Sequence, residues 1–285
     1  MLMLIFKKEH DMKNWLKIGF IQTRPTFGEK KSNVDQVIDL LASADADLMV
    51  LPELFNSGYQ FASKPEVTSL AEEIPTGYTT KRLLKIAKQK KMHIVAGMPE
   101  KKGKLFYNSS VLVAPSGFID VYRKIHLFYE EKLWFTAGNK QLKVHDIGKT
   151  RIGMMICFDW FFPEVFRVLA LSGADIICHP SNLVLPHCPQ AMITRCLENR
   201  VFAITANRVG FEERDGKERL TYIGMSQITS PKGEVLYRAS SEKTDMQIIE
   251  INPSEAKKKS INRYNHLFED RRPAFYEAIL SSPEE

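Results

Sequence analysis

The sequence predicts an α/β protein in which helices cover the outer faces of two packed β-sheets, a four-layer α-β-β-α sandwich. Three observations point there. Short continuous apolar runs such as Leu48 to Leu51 and IGMMIC at 152–157 suit strands buried on both faces. Segments with helical spacing alternate with those runs, the order expected when helices lie against a sheet. A few hairpin signals interrupt the alternation, which suits sheets that are not purely parallel.

Lys17 to Gln22 reads as the first strand. Val34, Val37, Ile38 and Leu41 then lie on one helical face, with Ser32 as the expected N-cap. The Leu48 to Leu51 strand places Glu53 just beyond its C-terminal end. A second helix, from about Thr79 to Lys91, turns Leu83, Ile86 and Ala87 inward and leads into the strand His93 to Met98. Tyr107 to Ala114 and Phe118 to Tyr122 flank Pro115, Ser116 and Gly117, a turn between antiparallel strands, and Lys124 lies just after the second. From Arg151 the apolar run ends at Cys157, and Pro163 and Glu164 open the next helix, which Gly173 stops. Ala174 to Cys178 is another buried strand, followed by the loop His179 to Asn182. A helix around Gln190 to Arg200 and strands at Phe202 to Ala206, Met225 to Thr229, Glu234 to Arg238 and Gln247 to Ile251 complete the chain, with Pro231, Lys232 and Gly233 as a hairpin turn. Residues 1–16 form an N-terminal extension without clear period, and 17–285 read as one domain. No internal repeat, linker or low-complexity segment stands out.

Composition excludes several classes. With 44% hydrophobic and 26% charged residues among 285, the chain suits an ordinary globular protein with a sizeable core. Charged residues interrupt every candidate bilayer span, and the apolar start Leu2 to Phe6 lacks a signal-peptide cleavage site, so a cytoplasmic protein without membrane contact is expected. Four cysteines without a CxxC pair fit reduced thiols. The net charge of +6 comes from scattered lysines, the run Lys257 to Lys259 among them, with no interleaved aromatic residues; no nucleic-acid partner is expected. His179, His187 and Cys188 lack a metal-ligand spacing, and no GxGxxG or Walker loop is present, so no metal and no cofactor are expected.

Three residues carry candidate chemistry. Cys157 ends an apolar strand shortly before a helix, an arrangement similar to a nucleophile elbow, where a helix N-terminus and a lysine would favour the thiolate. By position alone it reads more readily as a small buried apolar residue. Glu53, desolvated beside its strand, suits a base toward a thiol; the alternative is a loop cap paired with an arginine. Lys124, in YRKIHLF, is either a half-buried donor to an oxyanion or a surface lysine at a strand end.

Their flanks decide between these readings. LPELF at Glu53, YRKIHLF at Lys124 and ICFDWFFPE at Cys157, in that order, resemble the carbon–nitrogen hydrolase (nitrilase) superfamily, and the resemblance runs from about Lys17 to Arg272 with HPSNLVLP and ENRVFAITANRVG inside it. It implies the four-layer sandwich, a Glu53–Lys124–Cys157 triad, a small amide or nitrile as substrate, ammonia as product and a homodimer or larger assembly. The match of YEEKLWFTAG implies a second active-site carboxylate at Glu131, with Glu130 as the confusable neighbour; Ala137 stands where the family usually has proline. Trp160, Phe161 and Asn182 are the expected substrate-binding residues. Asp159, two residues after the cysteine, resembles the amidase and carbamoylase branches more than nitrilases, whereas ICFDWFFPE and HPSNLVLP also resemble archaeal members described as nitrilases. Amide hydrolysis is therefore the first reading and nitrile hydrolysis the second. Where carbamoyl amino-acid hydrolases of the superfamily can carry arginine soon after the cysteine, Trp160, Phe161 and Phe162 stand here, so an uncharged substrate is expected. Only Arg195, Arg208 or Arg214 would be left to bind a carboxylate.

Overall fold

A computed structural model describes residues 15–281. Strands β1 (Leu16–Gln22), β2 (Leu48–Val50), β3 (His93–Lys102), β4 (Leu105–Ala114), β5 (Gly117–Arg123) and β14 (Asp245–Ile251) form one six-stranded sheet in the order β14-β1-β2-β3-β4-β5. A second six-stranded sheet contains β6 (Val144–Asp146), β7 (Arg151–Met154), β8 (Ile176–Pro180), β9 (Phe202–Ala206), β12 (Gln227–Thr229) and β13 (Val235–Arg238), in the order β13-β12-β9-β8-β7-β6. Read from β14 and from β6, both sheets run through the same pairings: antiparallel, parallel, parallel, antiparallel, antiparallel. The fold therefore repeats a unit that the sequence does not display, because pairing direction depends on backbone hydrogen bonds rather than on shared side chains.

Side-chain alternation fixes the layers. Ile18 and Phe20 of β1, Leu48 and Val50 of β2 and Val95 of β3 enter the large core shared with the second sheet, whereas Ile21, Met49, Ile94 and Ala96 point to the opposite face. That opposite face is covered by α1 (Lys30–Ser43) through Val34, Val37 and Leu41, and by α3 (Tyr78–Lys90) through Leu83, Ile86 and Ala87. Each such buried Leu, Ile or Val contributes roughly 1.5–3 kcal/mol relative to exposure. On the far side of the second sheet, α5 (Pro163–Leu171) and α6 (Cys188–Asn199) bury Val165, Phe166, Leu169, Met192 and Cys196, completing the four layers.

Several expectations are corrected. Leu16, assigned to the extension, is the first residue of β1; residues 1–14 lie outside the described residues. Helix α1 starts at Lys30, so Ser32 sits inside its first turn rather than at its cap. Asn33 anchors this end instead, accepting from the Thr26 N–H (2.9 Å) and donating to the Thr26 carbonyl (2.7 Å). The helix placed around Gln190 to Arg200 begins earlier, at Cys188, which is buried. The sequence reading also lacks α2 (Lys64–Leu70), strand β6, and a separate hairpin of β10 (Val209–Glu212) and β11 (Leu220–Ile223). Signals for two of these were present. Ser63-Lys64-Pro65-Glu66 has capping-box spacing with proline in the first turn, and Ser63 Oγ does accept from the Glu66 N–H. Asp215-Gly216, both at positive φ, is a turn dipeptide at the hairpin tip.

Among the described residues no helix is long and apolar enough to cross a membrane, and no group of three or more His, Cys, Asp or Glu is placed to hold a metal ion.

Candidate active site

Parallel strands β2, β7 and β8 end on the same side of the molecule, where loops leaving a sheet can converge. Glu53 follows β2, Cys157 follows β7, Asn182 follows β8, and Lys124 comes directly after β5. The Glu53 loop lies tightly on β3: the Gly97 N–H donates to the Pro52 carbonyl and the Phe55 N–H to the Gly97 carbonyl. A Cβ at Gly97 would stand 2.5 Å from the Glu53 Cα, so only glycine permits this approach. Lys124 is held from both sides, its N–H donating to the Asn108 carbonyl and its carbonyl accepting from Gly138 N–H, each at 2.8 Å. Ala137 in place of proline thus leaves the loop closed onto the strand end.

The charged groups meet in one buried cluster. Lys124 Nζ donates to Glu53 Oε1 and to Glu131 Oε1, both at 2.7 Å, and none of the three side chains is more than 3% exposed. Glu131 opens the short helical turn α4 (Glu131–Trp134). Glu130 points away and pairs with Lys217 at 2.6 Å, so of the two neighbours Glu131 is the one at the lysine. Asn108 Nδ2 donates to Glu53 Oε1 (2.7 Å), while Glu53 Oε2 has no partner among the described residues. Tyr59, which the sequence reading missed, donates from its hydroxyl to Glu131 Oε1 at 2.8 Å. Its signal was the Gly-Tyr pair six residues beyond Glu53. Burial pushes the Glu131 carboxyl up to about 7, with the Glu53 charge adding to this and Lys124 opposing it. Burial also disfavours the Lys124 cation, but the two carboxylates outweigh it and hold the lysine protonated.

Cys157 sits beside this cluster at φ +40°, a left-handed conformation that costs a non-glycine residue about 1–3 kcal/mol and recurs where a side chain must be aimed. Asp159 pins the turn: Oδ2 accepts from the Ile156 N–H (2.8 Å) and the Tyr122 hydroxyl (2.7 Å), and Oδ1 accepts from the His126 N–H (3.2 Å). Asp159 thus ties the Cys157 turn to the segment carrying Lys124 and makes no contact with the cluster itself. His179, buried and pushed down to about 4 by burial, is neutral at pH 7. Because a carbonyl can only accept, the 2.9 Å contact of its Nε2 with the Cys157 carbonyl assigns the proton to Nε2, leaving Nδ1 to accept from Thr205.

The thiol itself corrects an expectation. Burial and then Glu53 push Cys157 well above its ordinary range, although Lys124 and the Asn182 backbone N–H work in the other direction. The sulfur therefore rests as a thiol and needs a base. A small apolar cavity adjoins it, lined by Phe128, Phe158, Trp160, Asn182 and Leu183. Both side-chain amide atoms of Asn182 are buried without a partner among the described residues. Phe161 is not brought to this cavity: it is half exposed and packs its ring on Trp160 (4.7 Å), because successive residues of the tight turn point to different sides.

A sequence profile of the carbon-nitrogen hydrolase family matches residues 17–259, a span that includes Glu53, Lys124, Glu131 and Cys157. The chain belongs to the carbon-nitrogen hydrolase family. It is 47% identical to a nitrilase of Pyrococcus abyssi over 92% of this chain and 99% of that relative. An (R)-stereoselective amidase of a Pseudomonas species is 32% identical over 90% of this chain and 92% of its own length. Among solved structures, a carbon-nitrogen hydrolase from Helicobacter pylori superposes with a TM-score of 0.85 at 25% identity, covering 94% of this chain and 99% of its own. This carbon-nitrogen hydrolase is thus an enzyme for small amide or nitrile substrates in a fold shared by nitrilases and amidases.

Proposed function

We propose that this carbon-nitrogen hydrolase cleaves a small, uncharged aliphatic amide through a Cys157 acyl-enzyme and releases ammonia. The observation that carries the reading is the buried Lys124, bonded at 2.7 Å to both Glu53 and Glu131 beside a protonated thiol. Glu53 Oε2, unpartnered, accepts the Cys157 proton as sulfur attacks the carbonyl carbon. Lys124 donates to the oxyanion, a role worth about 10²–10³ in rate for a single donor. Glu53 returns the proton to nitrogen, the C–N bond breaks and ammonia departs, leaving a thioester. Water then loses a proton to Glu53 and adds to the thioester; the C–S bond breaks, the thiol regains its proton, and the carboxylic acid leaves. Glu131, through Lys124 and the substrate nitrogen, keeps the cation in place.

The charge of the substrate follows from the cavity. Its lining has no charged side chain among the described residues. The three arginines that a carboxylate would need are already engaged: Arg195 with Glu198, Arg208 with Glu212 and Arg214 with Glu66. Nitrile hydrolysis is the second reading, favoured by the 47% identity to the Pyrococcus abyssi nitrilase. There attack gives a thioimidate, which water converts to the same acyl-enzyme. Ammonia release from propionamide, propionitrile and an N-carbamoyl amino acid, compared as kcat/KM, tests the reading. A preference for the nitrile selects the second reading, and a preference for the anionic compound overturns both.

Residues 17–285 are read as one functional unit in a cytoplasmic homodimer. Support for pairing comes from Val168 and Leu171 on α5 and Leu197 on α6, apolar side chains left exposed on the outer helical layer. Sedimentation showing only monomer at micromolar concentration overturns the dimer.

A further inference from the structure

We propose that the buried Arg208–Glu212 ion pair is a positioning element of the active site, which holds Tyr59 against Glu131 by gripping the backbone of the loop that carries Tyr59. The inference rests on the reading of Glu131 as a working member of the cluster. Among the described residues, neither Arg208 nor Glu212 hydrogen-bonds to Glu53, Lys124, Glu131 or Cys157; they act through Tyr59.

The geometry is that of a clamp. Glu212, at the end of β10, receives the backbone N–H of Tyr59 at 3.0 Å and that of Gln60 at 2.6 Å on Oε2. Consecutive N–H groups converging on one carboxylate fix the direction of the chain between them. Gly58 stands at φ +82°, and a Cβ there would lie 2.9 Å from Glu212 Oε1, so the glycine both makes the bend and admits the carboxylate. Glu212 is itself oriented by Arg208, which is 1% exposed, donates to it from Nη1 and lies 4.0 Å over the Tyr222 ring. Arg208 Nη2 reaches the Pro25 carbonyl at 3.1 Å. Tyr222, on β11, packs edge-on against the Tyr59 ring at 6.3 Å.

The same hairpin grips the loop further along. Beyond Glu212, Arg214 donates to the Gln60 carbonyl (2.7 Å) and Lys217 to the Phe61 carbonyl (2.8 Å). The two strands of the hairpin form a ladder of their own, outside the two main sheets. A buried ion pair contributes little net stability compared with apolar packing, so its presence here calls for a task that an apolar pair would not perform. Holding two backbone N–H groups is such a task, since a carboxylate binds them about twice as strongly as a neutral acceptor.

The test uses iodoacetamide, itself a small amide, whose second-order rate constant with Cys157 is followed from pH 5 to 9. Cys157 is 6% exposed and the other three cysteines 0%, so the native protein reports one thiol. Glu131 faces Lys124, Glu53, Tyr59 and Cys157, and its ionisation disfavours the thiolate. It enters the profile as an inflection that Glu131→Gln removes. Tyr59→Phe withdraws a hydrogen bond from the carboxylate and is expected to move the inflection up by about one pH unit. Glu212→Gln is expected to move it the same way, and the double variant no further than Tyr59→Phe alone.

The sign separates positioning from plain electrostatics, because deleting a nearby negative charge without moving Tyr59 shifts the inflection down. A downward shift, no shift, or a shift that adds to that of Tyr59→Phe overturns the proposal while leaving the role of Glu131 intact. An inflection that survives Glu131→Gln overturns both. Should Glu212→Gln fail to fold, Gly58→Ala displaces the carboxylate while keeping its charge, and the same non-additivity with Tyr59→Phe is required.

Discussion

Glu131→Gln makes stability depend on pH in a direction opposite to that of most carboxylate substitutions. The wild-type carboxyl rises from 4.5 in the unfolded chain to about 7 in the fold, so the folded state holds its proton more tightly. A group raised in this way favours folding fully below the unfolded value and loses that contribution as pH climbs through the folded one. At about 1.4 kcal/mol per pH unit, the interval between 4.5 and 7 is worth on the order of 3 kcal/mol. Glutamine does not titrate. It keeps a carbonyl to accept from Lys124 and Tyr59, and its own contribution does not vary over this range. Glu131→Gln should therefore gain on wild type by roughly 2.5 kcal/mol between pH 5 and 8. Urea denaturation of both proteins at matched concentration, at half-unit pH steps, measures the difference directly. A constant difference from pH 5 to 8 refutes the reasoning, since it means that Glu131 has the same proton affinity folded and unfolded. The same substitution should lower kcat/KM by about 10²-fold, the scale of a misplaced electrostatic donor.

Cys157→Ala should fold normally and release no ammonia, whereas Cys178→Ala, in the core of β8, should retain activity and lose about 1–2 kcal/mol in denaturation; turnover by the first variant rejects the nucleophile. Gly97→Ala forces a methyl group onto the Glu53 backbone and should lower kcat far more than KM in ammonia-release assays; an unchanged kcat means that Glu53 does not need this placement. Asp159→Ala strands the N–H groups of Ile156 and His126, so a loss of about 3–5 kcal/mol in chemical denaturation is expected, and an effect confined to substrate preference contradicts its anchoring role.

Much of this enzyme was legible in the chain. Buried strands and amphipathic helices announce themselves through local periodicity, so β1 to β5, β7 to β9, β12 to β14, α1, α3, α5 and α6 have recognisable sequence counterparts. Glu53, Lys124, Glu131 and Cys157 were picked out as candidates because their flanks resemble a family in four separate places. The β10–β11 hairpin was lost because it carries charged residues from Glu212 to Arg219 and shows little apolar alternation.

What the sequence by itself determined was the class of fold, the candidate cluster and the uncharged character of Trp160, Phe161 and Phe162 beyond Asp159. Tertiary structure alone decided which groups touch. Glu130 and Glu131 are adjacent in the chain, yet one pairs with Lys217 and the other with Lys124. Cys157 rests as a thiol because burial and Glu53 outweigh the lysine, a balance of opposing fields that depends on distance and desolvation. Tyr59 lies about 150 residues of chain from Arg208 and Glu212, and they meet only because the hairpin folds back over the loop beyond β2. Periodicity reports which side of an element faces the core, but a hydrogen bond between distant residues depends on placement to within a fraction of an ångström, and that placement belongs to the packed whole.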